Sequence, residues 1–242
     1  MPAIIILILA SAVLFIFCSK FRSGAARRRA KAAAIHKVYL TFDDGPSPYT
    51  EEILKILDRY GVKATFFVVG GESSADREAL QQIVKRGHSL GVHSYTHKYD
   101  EIYASVEDFI MDFTKIRSHL KDVTGVVSNI YRFPGGSSNT VCRTDMRKLT
   151  DYLESLDIRY FDWNVDSGDS GRVPLSADEL VKNCLEGIQN RETSIILLHD
   201  LVTKQATVQA LPMIIEGVLA IKNTVILPIT EDTEQIHHRI KR

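Results

Sequence analysis

The sequence predicts one α/β domain built on a parallel sheet, and three observations carry that expectation. From residue 37 onward, short runs rich in Val, Ile, Phe and Tyr alternate with stretches of helical periodicity. Seven runs and six stretches succeed one another without an internal repeat. Ionisable residues cluster at the C-terminal ends of the runs, where parallel α/β folds gather their function. The alternation fits a doubly wound sheet and a barrel equally.

The elements follow in order. KVYLTF (37–42) is the first strand, and TEEILKILDRYG places Ile53, Leu54, Leu57 and Tyr60 on one helical stripe with Gly61 as its stop. KATFFVV (63–69) is the second strand, and ADREALQQIVKRG ends at Gly87 in the same way. HSLGVH (88–93) precedes SVEDFIMDFTKIRSHL, where Val106, Phe109, Ile110, Phe113 and Ile116 recur at helical spacing. NIYRF (129–133) is followed by a helix near 143–157. RYFDWNV (159–165) is read as one fifth strand, and Ser176 with Glu179 forms a capping box for SADELVKNCLEGI. SIILLH (194–199), a helix over 205–222 that Pro212 kinks or starts, and TVILPI (224–229) complete the set.

The N-terminus is of another kind. Residues 2–18, PAIIILILASAVLFIFC, carry no charge and reach the short limit for a membrane helix. Residues 1–19 read as a signal anchor, 20–34 as a basic linker and 35–242 as the folded domain. Cleavage after Ala12 would leave a very short apolar core, and Phe17 is too large to precede a lipoprotein Cys18, so the uncleaved anchor is preferred. A membrane-anchored, extracytoplasmic domain is expected, although Lys and Arg after the apolar run favour the opposite orientation.

Formal charge is zero overall, but residues 1–34 hold six basic residues and no acid. That leaves 24 basic against 30 acidic residues, a net −6, over residues 35–242. An acidic domain without clustered Lys and Arg is a poor nucleic-acid binder. Cys18, Cys142 and Cys184 are too few and too scattered for a disulfide framework.

The chemistry gathers at strand ends. The first strand ends at Asp43-Asp44, the third at His93 with His97 in HSYTH, the fourth at Arg132 in RFPGG, and the sixth at His199-Asp200. The fifth carries Asp162, Trp163 and Asp166. Convergence of this kind is what a polar active site requires. Histidines at i and i+4 with a carboxylate from another strand suit a metal that keeps one position open for water. His88 begins its strand at the opposite end and reads as packing. His237 and His238 read as surface residues, and Asp166, Asp169 and Asp200 as loop-capping or supporting carboxylates.

TFDDGP, HSYTH, RFPGG, DWNVD and LLHD, in this order, resemble the five motifs of the polysaccharide deacetylases, carbohydrate esterase family 4. The resemblance spans about residues 35–235 and implies a distorted (β/α)7 barrel. It implies removal of acetyl groups from N-acetylglucosamine units of a cell-wall glycan, peptidoglycan or a chitin-like oligomer. By motif, Asp44, His93 and His97 would hold a divalent metal, Zn²⁺ or Co²⁺. Asp43 would be the base, tethered by Arg132. His199 would be the acid, oriented by Asp162. Gly135 would offer a backbone N–H, and Trp163 and Leu197 would line the acetyl pocket. Many relatives carry Tyr where this chain has Gly135, so a ring wall is missing from that position. An O-acetyl esterase on xylan, a small-molecule amidase and a non-catalytic glycan-binding surface protein are the rival readings.

Overall fold

The computed structural model describes residues 35–240; the expected anchor and linker lie outside the described residues. Among the described residues, no helix is long and apolar enough to cross a membrane. Among the described residues, eight strands and seven helices follow one another, mostly in alternation. The strands are β1 (His36–Asp43), β2 (Thr65–Val69), β3 (Ser89–Ser94), β4 (Ile130–Tyr131), β5 (Arg159–Tyr160), β6 (Val165–Asp166), β7 (Thr193–His199) and β8 (Thr224–Ile226). The helices are α1 (Thr50–Tyr60), α2 (Ser74–Lys85), α3 (Tyr99–Ile102), α4 (Val106–Thr124), α5 (Met146–Ser155), α6 (Ala177–Gly187) and α7 (Gln205–Leu219).

All strand pairs are parallel, in the order β5-β4-β3-β2-β1-β7-β6. The eighth strand pairs with residues 36–38 of β1, below the stretch of β1 that pairs with β2. The two edge strands, β5 and β6, are joined by only residues 161–164. Four residues cannot span more than about 17 Å end to end, so the sheet must curl until its edges nearly meet, giving a half-barrel of parallel strands.

RYFDWNV is therefore not one strand, as expected from its composition, but the end of one edge and the start of the other. The edges do not pair. Instead Asp162 N–H donates to the Ile236 carbonyl, and Tyr160 N–H donates to Gln235 Oε1, so residues 235–238 lie along the open seam. The short α3 was also not expected; its four residues are too few to show helical periodicity. Pro212 neither starts nor ends α7, which runs from Gln205 to Leu219 around it.

Alternation along each strand divides the core. Val38, Leu40 and Phe42 face the large cluster between sheet and helices, while Tyr39 faces a smaller one inside the arc with Phe67, Ile130, Phe161, Ile195 and Ile229. Thr41 and Asp43 continue the inner face, as Leu197 and His199 do on β7. The inner cluster is thus the floor on which the polar groups stand.

Helix ends follow local chemistry. The N-caps Ser73 and Ser176 form capping boxes with Asp76 and Glu179, and Gly61 and Gly125 close α1 and α4 in the left-handed conformation.

Candidate active site

At the end of β1 the two aspartates part company. Asp43 keeps strand geometry, whereas Asp44 has φ +73°, which turns its side chain away from its neighbour. Asp43 Oδ1 accepts from Arg132 Nη1 at 2.8 Å. Asp44 instead faces two imidazoles: its Oδ1 lies 3.3 Å from His93 Nε2 and 3.0 Å from His97 Nε2.

Arg132 is 0% exposed, and each of its three guanidinium nitrogens donates a hydrogen bond. Besides Asp43, its guanidinium donates to Thr41 Oγ1 at 2.7 Å, the Phe161 carbonyl at 2.9 Å and the Asp162 carbonyl at 3.2 Å, and it lies 4.2 Å over the Phe67 ring. A buried charge is tolerable only with such saturation. The Arg132 carbonyl accepts from His93 Nδ1 at 2.6 Å. A carbonyl can only accept, so Nδ1 carries the proton and Nε2 turns its lone pair toward Asp44.

That arrangement fits a cation. Asp44 Oδ1 is buried with no hydrogen-bond donor, and ligand atoms of Asp44, His93 and His97 all lie within 4.8 Å of one another. A carboxylate oxygen against an imidazole lone pair is repulsive unless positive charge lies between them. Burial alone would raise the Asp44 carboxyl; with protonated imidazoles standing in the cation's place, the hydrogen bonds and charge of His93 and His97 would outweigh burial and hold it far below the carboxylate range. Burial likewise opposes the His97 charge, and Asp44 outweighs burial and raises it.

HSYTH is not left to itself. From α4, Asp112 accepts from Ser94 Oγ at 2.9 Å, Tyr95 N–H at 2.9 Å and Thr96 N–H at 3.1 Å, while His97 N–H donates to Ser94 Oγ at 2.9 Å. This clamp sets the turn that presents His97 at φ +54°. Sequence reasoning missed Asp112, although an acid at helix position 112, between buried Phe109 and Phe113, was a visible irregularity.

The opposite wall is the turn after β4. Gly135 and Gly136 both have positive φ, +74° and +77°, which explains the glycine pair. Gly136 N–H donates to the Phe133 carbonyl, Tyr103 Oη–H donates to the Pro134 carbonyl at 2.9 Å, and Asn139 Nδ2 donates to the Gly136 carbonyl at 2.9 Å. Gly135 is exposed, and among the described residues its N–H has no partner.

Asp162 does not reach His199. Its carboxylate is 0% exposed and accepts from Ser137 N–H at 2.8 Å, Ser137 Oγ at 2.5 Å and His238 N–H at 2.7 Å. It clasps the glycine turn to residues 236–238. The expected orienting role falls to Asp169, whose Oδ1 lies 2.7 Å from His199 Nδ1 and whose Oδ2 accepts from His199 N–H at 2.8 Å and Thr207 Oγ1 at 2.9 Å. The physical reason lies in the break at residues 161–164, which puts Asp162 on the tail side of the seam and Asp169 beside β7. Burial alone would lower the His199 imidazole; the Asp169 bond and charge, with Asp43 and Asp44 behind it, outweigh burial and push it up to about 9. With Nδ1 on Asp169, Nε2 is the atom left for chemistry.

Trp163 is half-buried against the same turn: a Cβ on Gly136 would come within 3.1 Å of its Cη2. Leu197 is 2% exposed, between Thr41 of β1 and Asp166 of β6. His238 is not an idle surface residue, since its Nε2 donates to the Trp163 carbonyl at 2.7 Å. His88 packs as expected at the far end, accepting from Ala64 N–H, and burial lowers it to about 4. Asp200 accepts from Ser47 on the loop after β1 and from Thr50 at the start of α1, and burial raises it to about 6.

Comparison with known proteins agrees with this geometry. A family described as polysaccharide deacetylase matches residues 30–152. The Bacillus subtilis protein YheN is 35% identical over 184 residues, 74% of this chain and 62% of its own length. A peptidoglycan-N-acetylglucosamine deacetylase of Bacillus cereus is 29% identical over 187 residues, 74% of this chain and 64% of its own. The chain thus spans less than two thirds of both. The crystal structure of the catalytic domain of a peptidoglycan N-acetylglucosamine deacetylase from Eubacterium rectale superposes with a TM-score of 0.80 and 39% identity, covering 86% of this chain and 94% of that one.

Proposed function

The chain belongs to the polysaccharide deacetylase family, carbohydrate esterase family 4, and from that premise we propose that it is a metal-dependent hydrolase. It removes acetyl groups from N-acetylglucosamine residues of a cell-wall glycan, peptidoglycan or a chitin-like oligomer. The half-barrel is in this reading a distorted (β/α)7 barrel. One observation carries the proposal: Asp43, held by Arg132, stands beside the Asp44, His93 and His97 cluster, with His199, paired to Asp169, opposite it at the end of the next strand, β7.

Asp44, His93 and His97 hold the cation, with Zn²⁺ or Co²⁺ suiting two imidazoles and one carboxylate. When bound, such an ion supplies Lewis acidity that activates water and polarises an amide carbonyl. The protein supplies the rest. Arg132 occupies Oδ1 of Asp43, so Oδ2 is the atom that takes the proton of the attacking water. The free N–H of Gly135 donates to the oxygen on which negative charge develops. His199 Nε2 gives its proton to the departing nitrogen, and Asp169 steadies the imidazole in that role. An ester has a better leaving group and needs this acid less, so the raised His199 favours an amide. Trp163 and Leu197 wall the acetyl pocket. The apolar residues 2–18 support a membrane-anchored domain on the extracytoplasmic side of the membrane, which fractionation and protease accessibility of the full chain would test.

The deciding experiment measures acetate released from peptidoglycan and chitin oligomers by the soluble domain. Release abolished by a chelator and restored by Zn²⁺ or Co²⁺ is expected. Release from acetylated xylan alone would make the enzyme an esterase, and no release from any of these would leave a glycan-binding protein.

A further inference from the structure

Two tyrosines stand side by side next to His97, and only one has a task. Tyr103 is fully buried and spends its hydroxyl on the Pro134 carbonyl. Tyr99, at the start of α3, is half-buried, and among the described residues nothing hydrogen-bonds its hydroxyl. Its ring is held on two sides, edge-on to His97 with centroids 5.4 Å apart and tilted against Tyr103 at 5.9 Å.

The third side is the glycine turn. A Cβ built on Gly135 would lie 3.0 Å from Tyr99 Oη and 3.2 Å from its Cε1. The space that a side chain at 135 would enter is therefore occupied by the phenol of Tyr99. With φ +74° at Gly135, the backbone and the phenol both demand glycine there.

This inference rests on the function proposed above, in which the acetyl carbonyl lies between the His97 cluster and the Gly135 N–H. Tyr99 bridges those two walls. We propose that Tyr99 is a substrate-binding residue whose hydroxyl hydrogen-bonds a hydroxyl or ring oxygen of the sugar that carries the acetyl group. A phenol suits such a partner: it is neutral, both donates and accepts, and presents a flat ring edge to a pyranose. Holding the ring from three sides lowers the entropy cost of the contact.

The test compares wild type, Tyr99→Phe and Tyr99→Ala on a soluble N-acetylglucosamine oligomer, with bound zinc measured for each purified protein. Tyr99→Phe keeps the ring and is expected to raise KM by about 3–10-fold, as for one neutral hydrogen bond, with kcat within about twofold. Tyr99→Ala is expected to raise KM further. Zinc content is expected to match wild type in both, which a disturbed His97 would not allow. Turnover by wild type with an unchanged KM for Tyr99→Phe overturns this inference alone, as does a fall in kcat at constant KM. Absence of acetate release by wild type overturns the proposed function and this inference with it.

Discussion

At the residue scale, neighbouring carboxylates have separate partners and so separate tasks. Asp43→Asn keeps the shape of the site but removes the proton acceptor, and kcat is expected to fall by about 10²–10⁴-fold while zinc content, measured by elemental analysis, stays at the wild-type level. In the proposed mechanism the acid, His199, is tuned by Asp169. His199 is raised above its ordinary value of 6.5 to about 9, so it stays protonated through neutrality and loses its proton only as pH rises through about 9. Asp169→Asn removes the main opposing influence to burial, so the alkaline limb of the kcat/KM profile is expected to move to lower pH; an unmoved limb would show that another group sets it. The same shift links to folding. Because the folded value lies above the unfolded one, the pair's stabilisation is fully present below about 6.5 and fades as pH rises toward 9.

At the element scale, α4 matters for more than its apolar stripe. Through Asp112 it fixes three groups of the turn that carries His97. Asp112→Ala is expected to weaken zinc affinity by roughly 10–100-fold, as removal of groups that orient metal ligands commonly does, and competition with a chromogenic chelator would measure it. Most elements were legible because their periodicity is strong: Ile53, Leu54 and Leu57 on α1, or Phe109, Phe113 and Ile116 on α4, are buried as their spacing predicts. RYFDWNV misled because residues 161–164 look like one strand in composition, whereas Phe161 N–H donates to Tyr131 on β4, Asp162 N–H to the distant Ile236 and Asn164 N–H to Ile195 on β7. The same blindness to long-range partners assigned Asp162 to His199. Local spacing says nothing about which of two carboxylates, seven residues apart, faces β7. Asp43, Asp44, His93 and Arg132 were readable because each lies at a strand end, and His97 because it follows His93 at i+4.

At the scale of the whole molecule, the arc has a seam, and residues 235–238 fasten it by Gln235 to Tyr160, Ile236 to Asp162 and His238 to Asp162 and Trp163. Asp162 then relays that fastening to Ser137 in the glycine turn. Removing residues 234–242 is expected to lower the melting temperature and to slow turnover, with the Asp44, His93 and His97 cluster still binding zinc; calorimetry and metal analysis on one preparation would show both. Full activity after that truncation would mean the turn holds its shape unaided.

Arg132 serves both halves of the centre through different atoms, its guanidinium on Asp43 and its carbonyl on His93. Mutation can rewrite the first but not the second, since every residue brings the same main-chain oxygen. Descendants of this gene could therefore lose hydrolysis at Asp43 while inheriting the histidine orientation intact. Under the proposed function, such a lineage would pass smoothly from enzyme to lectin, its members still holding a cation and gripping the glycan that their ancestors trimmed.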